Sequence, residues 1–477
     1  MSRRVVVIGG GVAGLAAAQA LSSAQDGPQV TLLESSERVG GRIRTVPFGG
    51  VRLDVGPDAL LSRAPGGVEL CRSLGLGDEL VPCADGGAYI WSRGRLRRLP
   101  AGLLAGLPAG PGDLLRSRIL SPAGVGRASL DFVLPANAPH GDEAIGALVR
   151  RRLGAQVLDR LIDPLLGGIN AGHCDDLSVA AGAPYLATAA RANRSLVRGM
   201  RATMPSPPGG GESVAPRPPV FLSLRGGLET LVRALTDALA GTDVRVNTAV
   251  RAVERAGDGL VVILDSGERL DADGVVLAAP AAGAAEVVRG AAPAAAGELA
   301  GIRTASVALV ALAYPHDAVP ALDGTGFLVA RDEDLDITAC TWATAKWPHL
   351  AAGATHTILK CSLGRAGEDA VVDEPDDALI ARARRALKRT MKITEAPADT
   401  LVVRHRDAFP QYAVGHLDRV ARIEDELAAA LPGLQVAGNS YRGVGVPACI
   451  TSGRTAAERL LQAAPSPAPH PQELNSR

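Results

Sequence analysis

The sequence predicts an α/β and α+β protein: a parallel sheet wound with helices at the start, then mixed-sheet segments and a mainly helical stretch. Three observations carry this. Residues 5–21, "VVVIGGGVAGLAAAQAL", run four apolar residues into a glycine cluster and an alanine-rich stretch, the pattern of strand, tight turn and helix. A turn and a second apolar run, "DGPQVTLLES", follow and end near Glu34, which completes a β-α-β unit. The chain has 477 residues, too many for one compact core, so two or three domains are expected.

The remaining elements read in order. From about residue 100 to 200 the pattern is helical, with "DEAIGALVRRRLGAQVLDRLIDPLL" (142–166) interrupted by glycine. In "ARANRSLVRGMRATM", Arg191, Arg194, Arg198 and Arg201 recur at helical spacing, which predicts one helix face, either solvated or attracting carboxylates and anionic lipid. Residues 204–220, rich in proline and glycine, predict a loop or linker. "FLSLRGGLETLVRALTDAL" reads as strand, glycine turn and helix, and residues 243–280 as several short strands followed by a buried one. Residues 300–410 mix strands with the helix "DDALIARARRALKRTM", a last helix follows the glycine loop near residue 443, and the proline-rich tail 464–477 is expected to be disordered.

Composition narrows the function classes. The chain is 47% apolar and 21% charged with a formal net charge of zero, a globular balance that argues against a general nucleic-acid binder. The six cysteines (Cys71, Cys83, Cys174, Cys340, Cys361, Cys449) are scattered without a C-x-x-C pair, so neither a disulfide framework nor a zinc site is expected and a reducing cytoplasm is the default. "MSRR" before an apolar run has the look of a signal peptide, but the glycine spacing outweighs that reading. No uninterrupted run of about 18 apolar residues predicts a membrane span. "LPAGLLAGLPAGPG" (99–112) comes nearest; its prolines and glycines break a helix, leaving a membrane-surface contact or a substrate entrance. "NAGHCDD" (170–176) reads as a polar loop rather than a metal site, and His416 as structural.

The chemistry starts from Gly9, Gly11 and Gly14 in G-x-G-x-x-G spacing, with Glu34 twenty residues beyond Gly14. An acid at that distance accepts hydrogen bonds from free ribose hydroxyls, whereas a 2′-phosphate calls for a cation. "ERVGGRIRT" follows, where Gly40 and Gly41 allow close backbone approach and the flanking Arg38 and Arg42 can reach phosphates. Together these strings resemble the signature of the amine oxidase-like FAD superfamily. In that superfamily the flavin reaches a C-terminal strand, glycine loop and helix, matched here by "QVAGNSYRGVGVPACITSGRTAAERL" (435–460). Amides at that helix start can stabilise negative charge on the flavin N1–O2 edge. Many members place an acid after the glycine that ends the strand; here Gly438 is followed by Asn439, which still hydrogen-bonds phosphate or ribityl groups.

Further strings, "LIDPLLGGINAGHCDDLSV", "FLSLRGGLETL", "ITACTWATAKWPH" and "FPQYAVGHLDRV", resemble the porphyrinogen oxidases of haem biosynthesis over almost the whole chain. "TACTW…KWPH" resembles the branch of Gram-positive organisms whose expected substrate is coproporphyrinogen III rather than protoporphyrinogen IX. The resemblance implies one non-covalent FAD in a discontinuous Rossmann-like domain (1–60, 220–300 and 418–463). It further implies a mixed-sheet substrate domain (61–95, 185–219 and 301–417) and a helical, membrane-associated-like domain (96–184). FAD contacts carry over onto the turn Gly9, Gly10, Gly11, Val12, Ala13 and Gly14, then onto Glu34, Ser35, Gly41 and Arg42. They continue on Gly56, Pro57, Asp58 and Ala59, on Val250, and on Gly438, Val444, Gly445 and Val446. Gly167, Gly168 and Ile169 match a stretch bordering the macrocycle. A cation that relatives use near the substrate propionates has no counterpart around Ala88.

The implied reaction removes six electrons in three two-electron rounds. Each round sends hydride from a methine-bridge carbon to flavin N5 and a proton from a pyrrole N–H, with dioxygen reoxidising the flavin to give hydrogen peroxide. No acid–base pair is assigned. Four propionates should demand cations, and Lys346, Arg194 and the cluster Arg93, Arg95, Arg97 and Arg98 are candidates; Lys346 alternatively reads as a surface cation between Trp342 and Trp347. The expected partners are the porphyrinogen, dioxygen and, as a candidate, the next haem-pathway enzyme, with at most peripheral contact to the inner face of the cell membrane. An amine oxidase would need an aromatic cage, yet the chain is 3% aromatic and "FPQYAVGH" offers a single Tyr. A carotenoid desaturase would show a more apolar surface, and a lipid-escort protein of this fold would bind no flavin.

Overall fold

Val5, Val6, Val7 and Ile8 are all buried, so the strand Arg4–Ile8 needs cover on both faces. It lies at the centre of a five-stranded, all-parallel sheet ordered 243–245, 29–33, 4–8, 274–277 and 434–436. Alternate residues serve two cores. Val5, Val7 and Leu32 pack under the helices Val12–Ser22, Glu229–Asp237 and Val446–Gln462. Val6, Ile8 and Leu33 pack under Ala281–Val288, Pro293–Ala300 and His416–Ala430, with the antiparallel strands Val250–Ala256, Gly259–Leu264 and Arg269–Ala272 alongside. The sheet is therefore assembled from distant stretches of chain.

This computed structural model describes residues 3–64, 66–100, 103, 106–107, 110–135, 141–203 and 219–463. Most of the expected linker at 204–220, part of the 99–112 string and the tail 464–477 lie outside the described residues.

A second sheet of seven strands runs in the order 399–410, 304–314, 357–363, 339–342, 326–329, 89–92 and 95–98. Its neighbours are antiparallel except for Gly326–Val329 beside Tyr89–Ser92. One face takes the helix Asp376–Met391 through Leu379, Ala383 and Leu387. The other takes Phe48, Leu53 and Val55, the approach to the loop that joins the two sheets.

The helical stretch is more broken than its periodicity suggests. Gly154, at φ +91°, ends the helix Ile145–Leu153, and the chain continues into a ten-residue π-helix, Leu158–Gly167, with Pro164 inside. Proline donates no N–H, and such wide turns are frequent at functional sites. The arginine face is a correction. Arg191 ends the helix Pro184–Ala192, Arg194 lies in a break, and Arg198 and Arg201 belong to a new helix, Leu196–Thr203. The cause is Asp131: fully buried and paired with Arg152 at 2.8 Å, it accepts the Leu196 and Val197 N–H groups and the Ser195 hydroxyl, starting the second helix there.

Candidate active site

The glycine turn fits a dinucleotide phosphate, and its glycines have separate reasons. A Cβ on Gly14 would stand 1.9 Å from the Gly9 carbonyl oxygen, and one on Gly9 2.8 Å from that of Ala278; these two residues let the turn close against itself and the sheet. At Gly11 nothing lies within 4 Å, so this position faces the open space where a phosphate can approach. No side chain caps the helix that begins at Val12, leaving its first-turn amides for an anion. The helix starting at Val446 is likewise uncapped. It crosses the first helix so closely that a Cβ on Gly453 would meet the Ala13 carbonyl at 2.0 Å.

Glu34 is built into the same turn. One carboxylate oxygen accepts the Gly10 N–H at 2.7 Å; the other accepts the Ser36 N–H at 2.8 Å and the Ser36 hydroxyl at 2.7 Å, with Ser35 Oγ at 3.4 Å. The oxygen that accepts Gly10 N–H retains acceptor capacity for a ribose hydroxyl. Thr248 N–H donates to the Glu34 carbonyl, which brings Val250 to this flank. The two arginines of "ERVGGRIRT" serve the loops. Arg38 braces the carbonyls of Val39, Gly41 and Ile43. Arg42, its pKa lowered by burial, donates to the Asp407 carbonyl at 2.8 Å and ties this loop to the long strand Asp399–Pro410.

Gly56 through Ala59 form the joint between the sheets, and Gly56 is held so near Arg42 that a Cβ would lie 2.0 Å from the Arg42 carbonyl oxygen. Asp58 is the hub. Lys346 and Lys360 each place Nζ 2.9 Å from its carboxylate, and Trp347 Nε1 lies at 3.4 Å. Burial pushes this carboxyl up, but the two ammonium groups outweigh it and hold it far below the usual range. Lys346 is thus not a solvent-facing cation between two tryptophans; its carboxylate partner is Asp58 and its side chain is 17% exposed. Lys360 also donates to the Asp54 carbonyl, and His405 shares a 2.8 Å hydrogen bond with that of Val55. Burial raises the Asp54 carboxyl to about 6, against the lowering effect of the Thr45 hydroxyl at 2.6 Å.

The C-terminal loop is pinned by Tyr412, whose hydroxyl donates to the Asn439 carbonyl at 2.6 Å and accepts the Gly443 N–H at 2.8 Å. Asn439 Nδ2 reaches the Ala408 carbonyl, and Gly438, at φ +124°, turns the chain ahead of Val444, Gly445 and Val446. His416 stacks on Tyr412 at 4.1 Å and bonds the Tyr441 carbonyl, a structural role.

A narrow cleft, open to solvent, lies beside this joint. Asp163, Pro164, Gly167 and Gly168 form its helical wall; Val307, Val329, Thr338, Ser362 and Phe409 form its sheet wall; Ala171, Gly172, Gly364 and Arg365 complete it. Ser362 and Lys360 lie two apart on one strand, hence on one face of the sheet, so the cleft floor runs on to Asp58. Gly167 and Gly168 line the cleft. Ile169, 60% exposed, and Lys346 and Arg194 are not among its lining residues; Arg194 rests on the Phe132 carbonyl. Sequence reasoning missed Asp163 and Arg365. "LIDPLL" carried a signal, an acid before a proline inside a helical pattern, whereas "LGRAG" carried none. In "NAGHCDD", Asp175 pairs with Arg150 and Arg331, and among the described residues no group of three or more potential ligands is arranged to hold a metal.

Comparison with known proteins agrees with this architecture. The family model for flavin-containing amine oxidoreductases matches residues 12–461. The chain is 37% identical over 465 residues to the coproporphyrinogen III oxidase of Bacillus subtilis, covering 96% of this chain and 98% of that one. It is 32% identical over 491 residues to human protoporphyrinogen oxidase, covering 98% and 100%. A solved Exiguobacterium structure, provisionally described as a protoporphyrinogen oxidase, superposes with a TM-score of 0.85 at 33% identity, covering 96% of this chain and 99% of that one. Cyclohexylamine oxidase from Brevibacterium oxydans shares the fold, at a TM-score of 0.69 and 16% identity over 97% of this chain and all of that one. FAD is the cofactor that the uncapped helix starts, the open Gly11 and Glu34 accommodate. The chain belongs to the flavin-containing amine oxidoreductase family, in its branch of FAD-dependent porphyrinogen oxidases.

Proposed function

We propose that this chain oxidises coproporphyrinogen III to coproporphyrin III in haem biosynthesis, with dioxygen as electron acceptor and hydrogen peroxide as product. The observation that carries the reading is near-full-length similarity to coproporphyrinogen III oxidases at 31–37% identity, joined to a cleft with a glycine-rich helical wall beside the loop 56–59. Bound FAD supplies hydride acceptance. The chain holds the macrocycle against Gly167 and Gly168, and Phe409 is the single aromatic among the cleft-lining residues, too little for an amine-binding cage. Human protoporphyrinogen oxidase at 32% identity keeps protoporphyrinogen IX as the second substrate to test.

The six cysteines are free and five of them are buried, in keeping with a reducing cytoplasm. Among the described residues no helix is long and apolar enough to cross a membrane. Oxygen uptake and peroxide release during coproporphyrinogen turnover test the reaction. Three oxygens consumed and three peroxides formed per porphyrin are expected; porphyrin formation without peroxide overturns the oxidase assignment.

A further inference from the structure

The cleft is lined by small, apolar or hydroxyl side chains with two exceptions, Asp163 on the helical wall and Arg365 on the loop after the strand Thr357–Leu363. Arg365 is held in a way its fold does not explain, and Asp163 keeps acceptor capacity its fold does not use up. Arg365 keeps its Nε buried without a hydrogen-bond partner, and its nearest carboxylate, Glu368, stands 3.7 Å away with a side chain that is 54% exposed. A buried guanidinium nitrogen left unsatisfied costs free energy that a bound anion can recover. Asp163 is 3% exposed, and one of its oxygens accepts the Cys174 N–H at 2.8 Å. That bond leaves further acceptor sites on the carboxylate. The π-helix that carries Asp163 is the one irregular helical segment of its length among the described residues, and it lies along the cleft.

A porphyrinogen presents two kinds of polar group: carboxylates on its rim and pyrrole N–H donors at its centre. One cation and one carboxylate among the cleft-lining side chains match them. Resting on the functional reading above, we propose that Arg365 anchors one propionate and that Asp163 receives the pyrrole N–H and then its proton. In each two-electron round the methine C–H bond breaks with its electron pair passing to the bound flavin. The pyrrole N–H bond breaks with its proton passing to an Asp163 oxygen, and a new π bond closes between carbon and ring. Asp163 releases that proton to solvent before the next round. Asp163 is then a catalytic residue and Arg365 a binding one, which separates their signatures.

The test uses the flavin-loaded full chain. Anaerobic mixing with coproporphyrinogen III follows flavin bleaching, and fluorescence quenching of coproporphyrin III, the four-carboxylate product, measures affinity without turnover. Asp163→Asn keeps an acceptor for the Cys174 N–H and is expected to slow bleaching roughly 100-fold or more with porphyrin affinity little changed. Asp163→Glu, which keeps the base, is expected to recover most of the rate. Arg365→Gln is expected to weaken porphyrin binding roughly 10- to 100-fold while the saturated bleaching rate stays within a few-fold, with Arg365→Lys intermediate. A wild-type bleaching rate in Asp163→Asn, or unchanged porphyrin affinity in Arg365→Gln, overturns the proposal. A wild-type protein that coproporphyrinogen does not bleach overturns the functional reading itself, an outcome distinct from the first.

Discussion

Replacing Asp58 with alanine probes the joint between the nucleotide-binding sheet and the cleft. Its carboxylate receives Lys346 and Lys360 at 2.9 Å each, and their side chains are 17% and 5% exposed. Removing it leaves two ammonium groups facing each other in a site shielded from water. Breaking a buried pair in this way costs about 3–5 kcal/mol, because a desolvated charge loses its partner. The sign with pH follows from the same geometry. Burial acts to raise the Asp58 carboxyl, yet the two lysines hold it well below its unfolded value of about 4. The clamp therefore stabilises fully above that unfolded value and weakens as acid protonates the folded group. Urea unfolding of the flavin-loaded protein at pH 7, followed by circular dichroism and flavin release, measures the loss. Asp58→Ala should lose about 3–5 kcal/mol, and adding Lys360→Met should restore part of it, although Lys360→Met alone destabilises. An alanine variant within about 0.5 kcal/mol of wild type, or strictly additive double-mutant effects, would refute the clamp.

The helical stretch offers a parallel case: Asp131→Ala strands buried Arg152 and uncaps the helix Leu196–Thr203, so a loss of about 3–5 kcal/mol in denaturant unfolding is expected, whereas a surface-like change of about 0.5 kcal/mol or less contradicts the capping account. The glycine turn separates folding from binding. Gly14→Val, driven into the Gly9 carbonyl, should yield little folded protein, whereas Gly11→Ala should fold normally and bind FAD more weakly, as read by flavin retained through gel filtration. Equal flavin retention in Gly11→Ala and wild type removes Gly11 from the phosphate path.

Much of the nucleotide-binding half was legible because its signals are local. Gly9, Gly11, Gly14 and Glu34 sit within one β-α-β unit, where backbone geometry dictates residue type at fixed spacing. The reason for Gly14 still differed from the obvious one: it closes the turn on Gly9 rather than admitting the cofactor. The joint beside the cleft was less legible because its charges are paired across hundreds of residues. Nothing near Lys346 announces that its partner is Asp58, 288 positions away, so a buried clamp read as a propionate-binding or solvent cation. The same holds for the broken arginine face, since Asp131 reaches the Leu196 N–H from 65 residues upstream and overrides helical spacing. Arg365 carried no signal at all, because only the packing of the helical wall on the sheet turns a loop arginine into a cleft side chain.

The choice between the four-carboxylate and the two-carboxylate porphyrinogen decides the substrate. Purified, flavin-loaded protein is given coproporphyrinogen III and protoporphyrinogen IX in separate aerobic assays, and porphyrin fluorescence yields kcat/KM for each. Coproporphyrinogen III is expected to give the higher value. A higher value for protoporphyrinogen IX, or no porphyrin from either, would contradict it.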